Sequence, residues 1–264
     1  MAATPSSRRL VGVSTKMYFS AARTREYVQQ VKELLSATPQ LLDDIDVFII
    51  PDHITLTSVV AQLEGTKVLT GAQDAFYEDA GAFTGEVSPA VLAEVGCRIV
   101  ELGHAERRRI FGETDDDAAR KAAAAARNGM IPLVCIGERT QGEVSIAVDE
   151  CRVQVESVMA AVPDDAEVIL AYEPVWAISA AQPAAAEYVV SVAQRLRALD
   201  CVQRRKGVTR LLYGGSAGPG LFEKLKTGVD GLFLGRFAHD PSQFYKTIQE
   251  VATASLCSLL MEEA

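Results

Sequence analysis

Short continuous apolar runs alternate with longer segments whose apolar positions recur at helical spacing, and the alternation holds along nearly the whole chain. The runs at 10–14, 46–51, 67–72, 98–102, 131–136, 167–172, 210–213 and 231–234 have the pattern of parallel strands buried on both faces rather than strands with one wet side. Between and after them, residues 21–36, 54–63, 89–95, 115–128, 144–162, 184–199, 221–226 and 241–260 read as helices. Strand–helix units of this size in unbroken succession predict an α/β chain forming a closed (β/α)8 barrel, with an open doubly wound sheet as the alternative. No linker or repeat divides the chain, so a single barrel domain over 10–264 is expected, preceded by a flexible tail over 1–9.

Composition narrows the class. A chain of 264 residues that is 48% apolar can bury a large core. Its formal charge of −9 argues against nucleic acid or an anionic membrane surface as partner, while leaving room for a local basic pocket. The five cysteines are odd in number and lack CxxC spacing, which points to reduced thiols and a cytoplasmic location. No stretch reaches the roughly 18 to 20 apolar residues of a membrane span.

In a closed barrel the loops that follow the strands open onto one end, where residues distant in sequence converge. Glu173 stands where the apolar run 167–172 ends, and Pro174 pushes it towards an extended backbone. The apolar residues after Pro174 suit a lid better than an idle loop; the competing reading is a strand-capping glutamate. Lys16 follows the first strand as either a surface cation or an anion anchor. His104 follows the fourth, just before what looks like one turn of helix. A ring at a helix N-terminus tends to stay neutral and to donate a hydrogen bond, although a purely structural histidine fits as well. After the seventh strand, Gly214, Gly215 and Ser216 permit close backbone approach to phosphate oxygens, and Gly235 repeats the opportunity after the eighth. Arg236 beside it would add a fork of donors or form a surface ion pair. His53 and His239 lack such context and read as structural or surface residues.

Several segments resemble triosephosphate isomerase, in order and across nearly the whole chain: GHAERRRIFGE (103–113), PLVCIGE (132–138), AYEPVWAI (171–178) and LYGGS (212–216). GAFTGEVSP (81–89) resembles the loop through which that family's subunits embrace. The resemblance implies a TIM barrel, a homodimer, a phosphorylated small sugar as substrate, and no metal or organic cofactor. The family is a standard case of acid–base tuning, and the roles that follow come from the resemblance. Glu173 would be the proton-shuttling base and His104 the neutral electrophile. Lys16 would stabilise the enediolate and the phosphate, with Glu106 as its partner. Thr84 would cross into the neighbouring subunit's site, and Ser179, Ser216, Gly235 and Arg236 match phosphate-loop positions.

The departures concern the pocket wall. Where the family reads Asn-Trp-Lys-Met-Asn, this chain has Ser14, Thr15, Lys16, Met17 and Tyr18. Ala105 replaces the serine after the histidine, residues 179–182 replace the lid's Gly-Thr-Gly-Lys, and Gly235-Arg236 replaces Gly-Gly. These edits resemble a branch of the family that interconverts tetrulose phosphates, L-erythrulose 1-phosphate and D-erythrulose 4-phosphate. The smaller Ser14, with Thr15, is expected to admit the fourth carbon as part of the substrate-binding wall. Triosephosphate isomerase itself is the alternative, and a non-catalytic phosphosugar-binding barrel the remote one.

Overall fold

Eight parallel strands close on themselves in chain order, each returning to the sheet through a helix packed outside it. This is the (β/α)8 barrel expected from the alternation, and the open sheet is excluded by the pairing of the first strand with the last. The computed structural model describes residues 8–178 and 184–262. The strands are β1 (Arg9–Ser14), β2 (Ile45–Ile50), β3 (Val68–Ala72), β4 (Ile99–Leu102), β5 (Ile131–Ile136), β6 (Val168–Tyr172), β7 (Thr209–Gly215) and β8 (Gly231–Leu234). The helices are α1 (Ala21–Ser36), α2 (Leu41–Asp44), α3 (Leu56–Leu63), α4 (Pro89–Glu94), α5 (Ala105–Phe111), α6 (Asp115–Arg127), α7 (Val144–Ala161), α8 (Ala186–Arg197), α9 (Asp200–Gln203), α10 (Phe222–Leu225) and α11 (Pro241–Glu262). Short 3-10 turns follow β6 at Val175–Ala177 and β8 at Arg236–His239. The four-residue α2 and α9 were not expected from the pattern, because one turn is too short to show a period.

Local chemistry sets the helix starts. Ser20 and Ser88 cap α1 and α4 by accepting from Arg23 N and Val91 N, and Pro89 opens α4 where no amide is needed. Thr114 and Asp117 form a reciprocal capping box on α6, whose first turn carries three aspartates facing the positive end of the helix dipole.

Two cores result from the two strand faces. Val11, Val13, Val100, Leu102, Val134, Leu170 and Tyr172 point outward into the layer shared with the helices. Leu10, Phe48, Ile50, Ile99, Leu133, Ile169, Leu212 and Phe233 fill the barrel interior. Side chains alternate along a strand, so the inward set continues from Leu10 to Ser14, from Ile99 to Glu101 and from Ile169 past Ala171 to Glu173. The polar members of that set gather where the strands end.

Candidate active site

Glu173 leaves β6 with its amide bonded to the Ile136 carbonyl at 2.8 Å. Its carboxylate enters the mouth of the barrel because β7 presents no side chain there. A Cβ at Gly214 would stand 2.3 Å from Glu173 Oε1. His104 is the N-cap of α5, and its Nδ1 accepts from the Glu106 amide at 3.1 Å. A proton cannot occupy Nδ1 while it accepts, so the ring carries its proton on Nε2. Nε2 lies 3.4 Å from Glu173 Oε2 and 3.4 Å from Lys16 Nζ. Lys16 in turn donates to Glu106 Oε1 at 2.7 Å.

Lys16 is held in a costly backbone conformation, with φ +47°, and Gln73 Nε2 bonds its carbonyl at 2.9 Å. Gln73 was not anticipated from sequence. Ser14 ends β1 beneath Lys16, with its carbonyl 3.2 Å from His239 Nε2. That histidine packs against Tyr18 and Phe19 and serves structure, in line with the sequence reading.

The electrostatics follow from the crowding. Burial raises the Glu173 pKa, but His104 and Lys16 outweigh it and hold the carboxyl below its ordinary range. Burial lowers the His104 pKa, yet the Glu173 and Glu101 carboxylates bring it to a net rise. The Glu106 amide works the other way, since an imidazolium would have to abandon that hydrogen bond, and the geometry is that of the neutral ring. Burial also lowers the Lys16 pKa, and the contact with Glu106, aided by Glu173 and Glu101, more than offsets it.

A cavity of about 730 Å³ opens over these groups. Ser14, Lys16, His104, Glu106 and Glu173 line it together with Ser216, Gly235 and Arg236. The structure therefore gathers Ser14, Lys16, His104, Glu106, Glu173, Ser216, Gly235 and Arg236 into one cavity and leaves Thr15, Thr84 and Gly214 outside its lining. Thr84 lies exposed in the loop between β3 and α4, and Ser179 falls outside the described residues. Thr15 departs from expectation. It is fully buried with its hydroxyl 3.4 Å from the Lys16 carbonyl, and it does not line the cavity.

Two buried glutamates were missed. Glu138, fully buried, accepts from Trp176 Nε1 at 2.8 Å, Tyr188 at 2.9 Å and Tyr172 at 3.2 Å, tying the turn after Glu173 to the barrel. Glu101, on β4, accepts from Ser14 Oγ at 2.8 Å. The available signal for Glu101 was a charged residue inside an apolar strand, which buries at a cost unless it is partnered.

A carboxylate, a neutral N–H donor and a cation around one cavity can abstract a proton beside a carbonyl and stabilise the oxygen charge that develops. The family model described as triosephosphate isomerase matches residues 9–251. The L-erythrulose-1-phosphate isomerase of Pectobacterium atrosepticum is 45% identical over 95% of this chain and 98% of its own length. The protein of the same name from Rhizobium meliloti is 40% identical over 92% and 97%. The triosephosphate isomerase of Thermoanaerobacter pseudethanolicus is 35% identical over 91% and 98%.

Proposed function

We propose, from the premise that the chain belongs to the triosephosphate isomerase family, that this sugar-phosphate isomerase interconverts L-erythrulose 1-phosphate and D-erythrulose 4-phosphate. The observation that carries the chemistry is His104 Nε2 standing 3.4 Å from both Glu173 and Lys16 within one cavity. In this reading Glu173 removes the proton from the hydroxyl-bearing carbon next to the carbonyl. The electron pair moves to the carbonyl oxygen, forming an enediolate across the two carbons. The Lys16 ammonium steadies the oxygen charge, His104 Nε2–H gives its proton to the former carbonyl oxygen and takes up the proton of the neighbouring hydroxyl, and Glu173 returns the carbon proton to the former carbonyl carbon, so that the carbonyl forms on its neighbour. The net change moves one carbonyl and is redox-neutral.

Ser216, Gly235 and Arg236, with Ser179, take the phosphate. Trp176, tied to Glu138, carries the turn that leads from Glu173 towards a lid, whose closure would exclude water from the enediolate. The chain works as a homodimer in which Thr84 reaches the neighbouring site. Large apolar side chains exposed on loops after neighbouring strands support this: Met17 (94% exposed) after β1, Ile54 (89%) after β2 and Phe83 (43%) after β3. The free thiols of Cys97, Cys135, Cys151 and Cys201 are in keeping with a reducing cytoplasm. Among the described residues, no helix is long and apolar enough to cross a membrane.

Side-by-side kcat/KM for L-erythrulose 1-phosphate and dihydroxyacetone phosphate tests the substrate. We expect at least a tenfold preference for the four-carbon compound, a difference of about 1.4 kcal/mol in transition-state binding. The reverse preference would make the three-carbon reaction the physiological one, a reading favoured by the Thermoanaerobacter relative.

A further inference from the structure

Glu101 has no part in the proton transfer just described, yet it stands in the interior of an apolar barrel, 4% exposed and inward on β4 above Ile99. Its carboxyl group crosses to the end of β1, a strand that is not its neighbour, and meets Ser14 Oγ at 2.8 Å. Glu138, comparably buried, shows how a carboxylate is kept in such a place: three donors, from Trp176, Tyr188 and Tyr172, converge on it. Among the described residues Glu101 has one, the Ser14 hydroxyl.

A serine hydroxyl can meet a carboxyl group in two ways. When Glu101 is ionised, Ser14 directs its proton there and presents lone pairs to the cavity that it lines. When Glu101 keeps its proton, the same two oxygens carry the bond in the other direction, and the Ser14 proton is free for the cavity. The first state sets an acceptor and a full negative charge near oxygens that gain negative charge, and the second sets a donor beside a neutral group.

The surroundings favour the second state. Ser14 and Lys16 face Glu101 from β1 and its loop, His104 from the end of β4, Cys135 from β5 and Glu173 from β6, while Phe48, Ile50 and Leu133 make the rest of the interior apolar. Burial pushes the Glu101 carboxyl up to about 7, His104, Ser14 and Lys16 oppose the rise, and Glu173 adds to it. Lys16 is bound to Glu106, so it is no dedicated counter-ion for Glu101. An ionised Glu101 also draws His104 towards the imidazolium, against the neutral ring that the Glu106 amide selects.

We infer that Glu101 works with its proton in place, as a positioning residue that turns the Ser14 hydroxyl into a third donor in the cavity beside Lys16 and His104, and that the isomerase loses this donor when Glu101 ionises. The inference rests on the isomerase reading of the site and holds for a three-carbon or a four-carbon substrate alike.

The test is the pH profile of kcat/KM from pH 6 to pH 9, measured on whichever of L-erythrulose 1-phosphate and dihydroxyacetone phosphate the unsubstituted enzyme turns over faster. Glu101→Leu leaves Ser14 without its donor and should lower kcat/KM at pH 6 by roughly tenfold. Glu101→Gln, whose amide N–H donates to Ser14 at every pH, should recover most of that loss. Neither variant titrates at this position, whereas the substrate phosphate and Glu173 are common to all three proteins. The ratio of Glu101→Gln to unsubstituted kcat/KM should therefore rise roughly fivefold or more from pH 6 to pH 9. A ratio that stays flat, or a Glu101→Gln enzyme no better than Glu101→Leu at pH 6, would overturn the inference while leaving the isomerase reading in place. If Glu101→Gln fails to fold, the ratio for Glu101→Leu decides in its stead, since it should rise in the same way. An unsubstituted enzyme inactive on both sugars would overturn the isomerase reading and the inference with it.

Discussion

A carboxyl group inside an apolar barrel gains nothing from ionising unless its neighbours compensate, and around Glu101 they compensate only in part. Burial raises its pKa and Glu173 adds to the rise, while His104, the Ser14 hydroxyl and Lys16 oppose it; the result is a carboxyl pushed up to about 7. The thiol of Cys135 faces the same interior, and burial pushes it well up as well. The consequence for stability has a definite sign. In the unfolded chain Glu101 loses its proton near the ordinary glutamate value, whereas the folded protein keeps it to about pH 7. The fold therefore binds more protons between those limits, and the stability that this group contributes is full below the lower one and lost as pH rises through the upper. The loss is of order 3 kcal/mol at most. Glu101→Gln cannot titrate, so its melting temperature relative to the parent should climb in the variant's favour from pH 5 to pH 7.5. Contributions of all other groups are common to both proteins, and a flat difference would contradict the assignment.

Elements act here by holding those residues at one level. The helix α5 needs an N-cap, and His104 supplies it with Nδ1, so a backbone requirement selects the ring's tautomer. The turn Val175–Ala177 is held differently, by the indole N–H of Trp176 on the buried Glu138 carboxylate. A hydrogen bond to a charged group contributes about 1.5 to 3 kcal/mol. Trp176→Phe keeps the ring and removes that donor, and it should lower the melting temperature by roughly 3 to 10 °C for a domain of this size. Tyr172 and Tyr188 remain on Glu138 in that variant, so the protein should still fold. Calorimetry that finds no change would mean that Trp176 anchors nothing.

At the scale of the whole molecule, closure of the barrel aligns the loops after β1, β2, β3 and β4 in neighbouring sectors of one end. Exposed Met17, Tyr18, Ile54, Phe83, Ile110 and Phe111 lie on or beside those loops, too much apolar surface to treat as scattered single residues. Phe83 belongs to a folded projection rather than a loose tip: its ring packs on Phe76, and the base is clamped by Arg127 and Asn128 on Asp79. Placing a charge at its centre, as in Phe83→Arg, should shift the protein from dimer to monomer in light scattering and reduce turnover with it. A monomeric parent, or a dimeric variant of full activity, would refute the proposed assembly.

Much of this architecture is legible in the chain itself. Parallel strands covered on both faces must be continuous apolar runs, so the number and order of β1 to β8 can be read directly, as can the strand-end positions of Lys16, His104 and Glu173. The same continuity hides the rest. Where both faces of a strand are apolar, no alternation marks which residues turn inward, so nothing along the chain pairs Glu101 with Ser14 or keeps Thr15 out of the cavity. The tautomer of His104 and the clearance that Gly214 leaves for Glu173 likewise depend on contacts between segments. The sequence by itself determined which elements form and which residues stand at their ends, because those depend on local pattern. Only the closed tertiary structure decided which of them face each other, because inward and outward are defined by the barrel and not by the strand.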